Sequence, residues 1–278
     1  TPANPTPLLS ENFDSDSDQT GTWTQSGTYV KFDGSGMMQY DPIGNGAEQS
    51  LTYDFGSGNI DDEQWVLRFD WLPTVSNSPA HFIVPLMSNQ NGPQEYSGSG
   101  VDSILGRYGE LQGGATAGDF LQLCYTHNQG MAHSTCTSST YPGTGYLSIS
   151  MGTQYYVELS RQADDTIQLS VKTDSHDGTH ITNSPLTITN MPTTVDGLQY
   201  MKFDNYPGST GGTRNMQSDI DNVVFFDGVT ACNPCADTPA VIYDSNLTTT
   251  ASPVDWADDD WSVSAWTKQS EVGFPISA

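Results

Sequence analysis

Three alternating carboxylates near the start of the chain have the residue types and spacing of a metal site. Asp14, Asp16 and Asp18 lie within five residues of one another. Ca²⁺ binds six to eight oxygen atoms from carboxylates, backbone carbonyls and water, and this run offers several of them. An EF-hand loop is excluded, because Gln19 replaces its turn glycine and Gln25 replaces its bidentate glutamate. We expect a structural calcium site here; the alternative is a polar loop built of Asx turns.

A second set of residues has the composition of a sugar-binding surface. Aromatic faces stack on the apolar side of a pyranose, and Asn, Asp and Gln bond its hydroxyl groups. The segment Asp204-Asn205-Tyr206-Pro207-Gly208 combines these residue types in one predicted turn. The predicted glycan site therefore consists of that turn and aromatics of predicted loops: Tyr96, Tyr108, Tyr141, Asp204, Asn205 and Tyr206. The alternative for each tyrosine is a half-buried place in the fold.

The four cysteines form two local pairs. Cys124 and Cys136 enclose eleven residues, and Cys232 and Cys235 form a CxxC. Without a βαβ context the CxxC does not indicate redox chemistry, and the spacing of the first pair does not suit a four-thiolate zinc site. We predict disulfides within both pairs, the first contributing roughly 3 kcal/mol. A glycosylation sequon begins at Asn246.

Motifs for nucleophilic catalysis are missing from the sequence. No serine occupies a nucleophile elbow, and no cysteine is paired with a histidine in a recognisable way. His127 and His133 lie within the Cys124–Cys136 loop, and His176 and His180 flank Asp177-Gly178. Metal binding by histidines four residues apart requires a helix, and Asp-Gly favours a turn instead.

The charge excludes several partners. Eight basic residues against 33 acidic ones give a formal charge of −25, which repels nucleic acids and anionic membranes and attracts divalent cations. No apolar run is long enough to span a bilayer. Residues 1–7 have the composition of an extended Pro/Thr leader after a processed N-terminus, or follow an artificial boundary. Together with the cysteines, this composition predicts a secreted or cell-surface protein.

Alternating apolar residues must form the elements that position these groups. In the run from Trp65 to Trp71 every second residue is apolar, and the same pattern recurs to Asp227. A period of two is typical of strands with one buried face, and no convincing helix intervenes. The sequence predicts an all-β fold, a two-sheet antiparallel β-sandwich of the jelly-roll type with an irregular C-terminal extension.

The predicted domains follow from the same pattern. Residues 1–7 form the leader, residues 8–228 the sandwich, and residues 229–278 an extension that packs on the sandwich or on a neighbouring subunit, or begins a second module. Predicted strands occupy 8–13, 28–33, 49–55, 65–72, 80–87, 101–107, 119–126, 146–150, 154–161, 166–173, 186–189, 198–204 and 219–227. Pro85 indicates an edge or a bulge in its strand. Residues 88–100, 108–118 and 127–145 are predicted loops.

The order of these pieces resembles the concanavalin A-like superfamily of lectins, carbohydrate-binding modules and glucanases. The resemblance covers residues 8–228 and lies in five segments: 11–16 with Trp23, 153–161, 169–174, 197–200 and 220–223. It implies a calcium ion between the first loop and the last strand, which adds Asp221 to the metal ligands. The Glu-x-Asp-x-Glu run of the glucanases and the Arg-Glu and Gln-x-His signatures of alginate-lyase sandwiches are absent, which argues against an enzyme.

The sequence therefore predicts an extracellular, calcium-stabilised, lectin-like module that binds glycans at a cell or particle surface. One alternative is a structural subunit of a filament or surface layer that self-associates through its terminal segments. The other is a polysaccharide hydrolase or lyase, which requires two carboxylates or an equivalent pair across the scissile bond.

Overall fold

The fold was determined as a computed structural model. It describes residues 6–13, 23–26, 30–32, 38–40, 49–61, 63–77, 81–91, 99–110, 117–130, 134–137, 145–206 and 215–228. These residues belong to a unit that comprises residues 1–236, and residues 237–278 form a second unit outside the described ranges. The predicted Cys232–Cys235 disulfide and the sequon at Asn246 therefore lie outside the described residues.

The described residues form two antiparallel sheets and no helix. Sheet A contains β1 (Leu9–Glu11), β3 (Val30–Phe32), β4 (Met38–Tyr40), β6 (Trp65–Asn77), β12 (Tyr155–Arg161), β13 (Ile167–Thr173), β14 (Thr179–His180), β15 (Leu186–Ile188) and β17 (Asn215–Asp227). Sheet B contains β2 (Trp23–Ser26), β5 (Gln49–Asp54), β7 (His81–Ser88), β8 (Ser103–Glu110), β9 (Ala117–Thr126), β10 (Thr135–Cys136), β11 (Leu147–Ser148) and β16 (Tyr200–Tyr206). The predicted all-β sandwich is confirmed.

Sheet A is built around two long central strands, β6 and β17. Its order is β14-β13-β12-β6-β17-β4-β3, and β1 pairs with β17 while β15 pairs with β13. The first and last strands of the sandwich meet in a register that places Leu9 opposite Phe225. The Leu8 amide extends this ladder by donating to the Phe225 carbonyl at 2.8 Å.

Sheet B has the order β10-β9-β8-β7-β16-β5-β2, with β11 on β9. β7 occupies an interior position between β8 and β16, although it contains Pro85, which has no amide hydrogen for a ladder. The register shifts between Ile83 and Leu86 against both neighbours, so the proline lies in a bulge, one of the two possibilities the sequence left open.

One hydrophobic core fills the space between the sheets. The alternate residues Trp65, Leu67, Phe69 and Trp71 of β6 are fully buried, as the period of two predicts. The Trp71 ring lies 5.8 Å from that of Tyr108, so residues of both sheets meet in the interior. Each such side chain contributes about 1.5–3 kcal/mol through burial. The described part of the chain contains no helix with the length and hydropathy needed to cross a bilayer.

Some strand boundaries differ from the prediction. Residues 108–110 and 117–118, predicted as loop, extend β8 and β9, and residues 205–206 extend β16. Strands β2, β4, β10 and β14 were not predicted at all, because each is only two to four residues long and too short to display a period.

Candidate functional site

Charged side chains cover the face of sheet B that points away from the core. Met201 and Phe203 of β16 point into the core, so the alternation of a strand turns Lys202 and Asp204 to the opposite face. Both residues are nevertheless 0% exposed. Buried charges are costly unless they are paired or hydrogen-bonded. The burial of both charges on one face of β16 therefore requires such partners there.

The register of sheet B aligns further polar residues with Asp204. Asp204 pairs with Ser50 of β5 and with Ile83 of β7. Ile83 pairs with Arg107 of β8, which pairs with Gln122 of β9. Because neighbouring strands are about 4.8 Å apart, this row brings the Arg107 backbone within about 10 Å of that of Asp204.

Lys202 begins a second row on the same face. It pairs with Thr52 of β5, and its Nζ lies 5.8 Å from the centroid of the half-buried Tyr200 ring. We call Ser50, Thr52, Arg107, Gln122, Tyr200, Lys202 and Asp204 the polar face of sheet B. It presents two cations, one carboxylate, one aromatic ring, one amide and two hydroxyl groups.

The polar face contains more cations than carboxylates, whereas the molecule as a whole is strongly acidic. The other basic side chains that the structure describes belong to strands of sheet A, where Arg68 Nε contacts Glu158 Oε2 at 2.8 Å and Arg161 contacts Asp165 Oδ1 at 2.8 Å. Lys172 Nζ donates to the His176 carbonyl. With Arg107 also only 5% exposed, both cations of the polar face are shielded from water, which strengthens their attraction for an anion.

The residues of the predicted glycan site have different locations. Asp204 belongs to the polar face. Asn205 and Tyr206 continue β16 rather than forming the predicted turn, and the structure describes only their backbone. Tyr96 and Tyr141 lie outside the described residues.

The predicted loop position of Tyr108 is wrong. Tyr108 belongs to β8 and is fully buried, with its hydroxyl donating to Asp119 Oδ1 at 2.6 Å. Gly106 and Gly109 lie close to it in the chain, and the weakly apolar stretch 108–118 suggested a loop. The ring instead fills the core against Trp71, so it presents no surface to a sugar.

Of the predicted metal ligands, the structure describes only Asp221. Asp221 lies in β17 directly opposite Asp70 of β6. Asn222 bridges the two carboxylates, because its Nδ2 donates to Asp70 Oδ2 at 2.9 Å and to Asp221 Oδ2 at 3.4 Å. Asp14, Asp16 and Asp18 lie outside the described residues, and within the described ranges no three acidic, histidine or cysteine side chains gather as a metal site requires.

The expected disulfide between Cys124 and Cys136 is present, with an S–S distance of 2.05 Å. The two cysteines are direct partners in the pairing of β9 with β10. Cys124 lies two residues from Gln122 on the same face of β9, so the bridge adjoins the polar face.

His176 and His180 have different partners, and His133 of the other predicted pair lies outside the described residues. His176 Nε2 contacts Asp70 Oδ1 at 3.1 Å, whereas His180 Nδ1 contacts Ser184 Oγ at 3.0 Å. Partial burial, and then the charge of Lys172, lower the pKa of His180 from 6.5, against a smaller opposite effect of Glu158. The turn interpretation of Asp177-Gly178 agrees with this arrangement.

Sequence reasoning missed Arg107, Gln122, Tyr200 and Lys202. The sequence contained a weak signal for two of them. Gln122 and Lys202 each lie between two apolar residues that face the core, so strand alternation turns their side chains outward. The pairing of five different strands, which brings them together, is not readable from the chain.

Comparisons with known proteins identify the fold. The solved structures similar to this one include two kinds of jelly-roll sandwich, so the chain has the two-sheet fold of the concanavalin A-like class. The alginate lyase Aly36B matches with a TM-score of 0.54 and 16% identity, over 80% of this chain and 98% of that chain. A mutant of Aly36B in complex with an alginate tetrasaccharide matches at 0.51 and 15%, over 79% and 96%.

A legume lectin-like domain from Entamoeba histolytica matches with a TM-score of 0.51 and 9% identity, over 80% of this chain and 98% of that chain. No family model and no curated protein matches the chain. The resemblance expected from the sequence is confirmed as a likeness of fold, and function must be argued from the site.

Proposed function

We propose that this protein binds glycans, and that the polar face of sheet B forms the base of the binding site, with the half-buried Tyr200 as its accessible member. The observation that supports this most is the shared outer face of these residues: Lys202 Nζ lies 5.8 Å from the Tyr200 ring, and the register places Arg107 two strands from Asp204. Rings of this type stack on pyranoses, and amide, hydroxyl and carboxylate groups bond sugar hydroxyls. The likeness of fold to a lectin-like domain and to alginate lyases agrees with this proposal.

The charges favour an acidic glycan. Arg107 and Lys202 outnumber the single carboxylate Asp204, on a molecule whose net charge is −25. A neutral glycan offers these cations only hydroxyl oxygens, whereas a carboxylate or sulfate group forms stronger hydrogen bonds with them because both partners are charged. A polyuronate such as alginate, which is bound in the Aly36B complex, is therefore a suitable first ligand.

A pair of matched variants tests the proposal. Lys202→Met removes a cation from the polar face, and Lys172→Met removes one from the outer face of sheet A. Titration calorimetry with alginate oligosaccharides measures the affinity. We expect Lys202→Met to weaken binding at least about tenfold, since a charged hydrogen bond contributes about 1.5–3 kcal/mol. We expect Lys172→Met to leave the affinity unchanged. Circular dichroism establishes that both variants are folded.

Equal weakening by both variants would contradict the assignment of the site. If the protein binds no glycan on an array of acidic and neutral polymers, the proposed function itself would be contradicted. A wild-type protein whose affinity for alginate does not change with salt would contradict the charge-based preference.

A structural calcium ion belongs to the same proposal. Asp14, Asp16, Asp18 and Asp221 would hold it, and it would tie the first loop to β17. The opposed carboxylates of Asp70 and Asp221 are suited to a nearby cation, because like charges opposite one another destabilise a sheet. Action outside the cell, at a cell or particle surface, remains a prediction of the sequence, as does self-association.

A polysaccharide lyase is the second candidate, and the fold of Aly36B together with Arg107 and Lys202 favours it. A lyase removes the proton beside a uronate carboxylate, and cations that bind the carboxylate stabilise the negative charge that develops. Incubation with alginate tests this idea. The appearance of unsaturated uronate, detected by its ultraviolet absorbance, would support lyase activity. Alginate that stays intact although it saturates the protein would show that the protein binds alginate without cleaving it.

A further inference from the structure

Three side chains from distant parts of the chain form a linear hydrogen-bonded group at one end of the sandwich. His127 Nδ1 lies 3.0 Å from Asp102 Oδ1, and His127 Nε2 lies 3.2 Å from Thr194 Oγ1. Asp102 directly precedes β8, His127 follows β9, and Thr194 lies in the turn after β15. This arrangement of hydroxyl, imidazole and carboxylate is the pattern of a nucleophile, its base and the group that orients the base.

The surroundings define the proton positions. Asp102 also accepts a hydrogen bond from the Asn128 amide at 2.8 Å, and its side chain is only 8% exposed. The Asn128 amide makes Asp102 Oδ1 an acceptor, and we assign the Nδ1 proton of His127 as its second donor. Nε2 is then the acceptor that faces the Thr194 hydroxyl, which is the tautomer that a general base requires.

Two further features surround this pair. Asn128 Nδ2 also lies 3.0 Å from Nε2, so the amide and the Thr194 hydroxyl share the single lone pair of Nε2, and the amide must move aside when Nε2 takes the proton. Thr194 is exposed, whereas the next residue, Val195, is buried and its carbonyl accepts from Arg161 at 2.7 Å. The turn is therefore anchored while its hydroxyl remains accessible to a ligand.

We propose that Thr194, His127 and Asp102 form a hydrolytic site for short carboxylic esters, such as an acetylated sugar. Thr194 Oγ bonds to the ester carbonyl carbon while its proton passes to His127 Nε2. Collapse breaks the bond to the alcohol oxygen, which takes that proton and leaves. Water then attacks the acyl group, gives a proton to His127, and releases the carboxylic acid as Thr194 regains its proton. The proposal does not depend on glycan binding by sheet B.

The chain offers a matched control in Thr193, the exposed neighbour in the same turn. The probe is p-nitrophenyl acetate, followed by release of p-nitrophenolate. We expect Thr194→Val to lower the rate at least about 100-fold, the lower range for loss of acid–base chemistry, and Thr193→Val to retain it. Asp102→Asn should also lower the rate, because it disfavours the required tautomer.

Two outcomes would overturn the assignment. One is a wild-type rate no higher than that of free imidazole at the same concentration as the protein. The other is a Thr194→Val rate equal to the wild type, which would identify a histidine as the nucleophile. Peptide mapping after brief exposure to the ester should find the acetyl group on Thr194. The esterase rate and the alginate affinity are measured separately, so failure of this site and failure of glycan binding are distinguishable.

Discussion

At the scale of single residues, the sandwich reverses the expected exposure of several polar groups. Lys202, Asp204 and Arg107 are buried although they point away from the core, and Tyr108 is buried although the stretch 108–118 suggested a loop. Burial makes their interactions stronger and their loss more costly than at a solvated surface. Substitutions at these positions therefore report on stability as well as on binding.

Tyr108 gives the first prediction. Tyr108→Phe keeps the ring in the core and removes the hydroxyl that donates to Asp119 at 2.6 Å. We expect the free energy of unfolding, measured by urea denaturation, to fall by about 1.5–3 kcal/mol, the contribution of a hydrogen bond to a charged group. Tyr156→Phe is the control, because its ring contacts His176 without using the hydroxyl. Equal stability of the Tyr108 variant and the wild type would contradict the importance of this bond.

The sequence was least informative about contacts between single residues that are far apart in the chain. Asp204 was predicted from its composition with Asn205 and Tyr206, but its neighbours Arg107 and Gln122 come from β8 and β9, about 80 to 100 residues earlier. The His127–Thr194 contact spans 67 residues. Local spacing encodes a turn or a strand, whereas such contacts depend on register and strand order, which are tertiary properties.

At the scale of elements, short strands depend on side-chain links. β10 contains only two residues, and its pairing with β9 coincides with the Cys124–Cys136 bridge. Two ladder positions alone hold a strand weakly, so the bridge must supply much of the stability of this edge of sheet B.

Removal of that bridge gives the second prediction. Cys124→Ala with Cys136→Ala should lower the free energy of unfolding by roughly 3 kcal/mol, the value expected from the chain entropy of a loop of this length. Calorimetric melting measures the change. Reduction of the wild type should lower its melting temperature to about that of the double variant, and any remaining response of the double variant to reductant would report on the predicted Cys232–Cys235 bridge. A double variant that melts at the wild-type temperature would contradict the prediction.

The third prediction concerns β14. Burial lowers the pKa of His180 below 6.5 in the folded protein, so the unfolded chain binds the proton more readily. Stability is therefore lost as the pH falls through the interval below 6.5. When the pH is lowered from about 8 to about 5, the melting temperature of His180→Gln should decrease less than that of the wild type. The difference should be small because the residue is largely exposed, and an equal loss would contradict the pKa direction.

At the scale of the whole molecule, the period of two predicted the sandwich well. The runs at β6, β12 and β13 are long enough for their alternation to be unambiguous, and the bulge at Pro85 follows from the missing amide hydrogen. The two- and three-residue strands have too few positions to show a period. Their pairing is imposed by neighbouring strands rather than by their own sequence.

Charge at this scale gives the fourth prediction. With a net charge of −25, the proposed calcium ion near Asp221 would relieve repulsion and tie β17 to the first loop. Addition of EDTA should lower the melting temperature, since a ligand at 100 times its dissociation constant stabilises by about 2.7 kcal/mol. Calcium should restore it, and sodium chloride of equal ionic strength should not. A response to EDTA that persists in Asp221→Asn would place the ion elsewhere.

The pairing of β1 with β17 has a topological consequence. Leu8 bonds Phe225, and the chain enters and leaves the sandwich at one corner of sheet A. A short designed linker between residues 8 and 228 would therefore close the domain without crossing either sheet. New termini could then be opened in another surface turn such as 163–165, and the sandwich could be inserted as a cassette into the loop of another protein with little disturbance to its host.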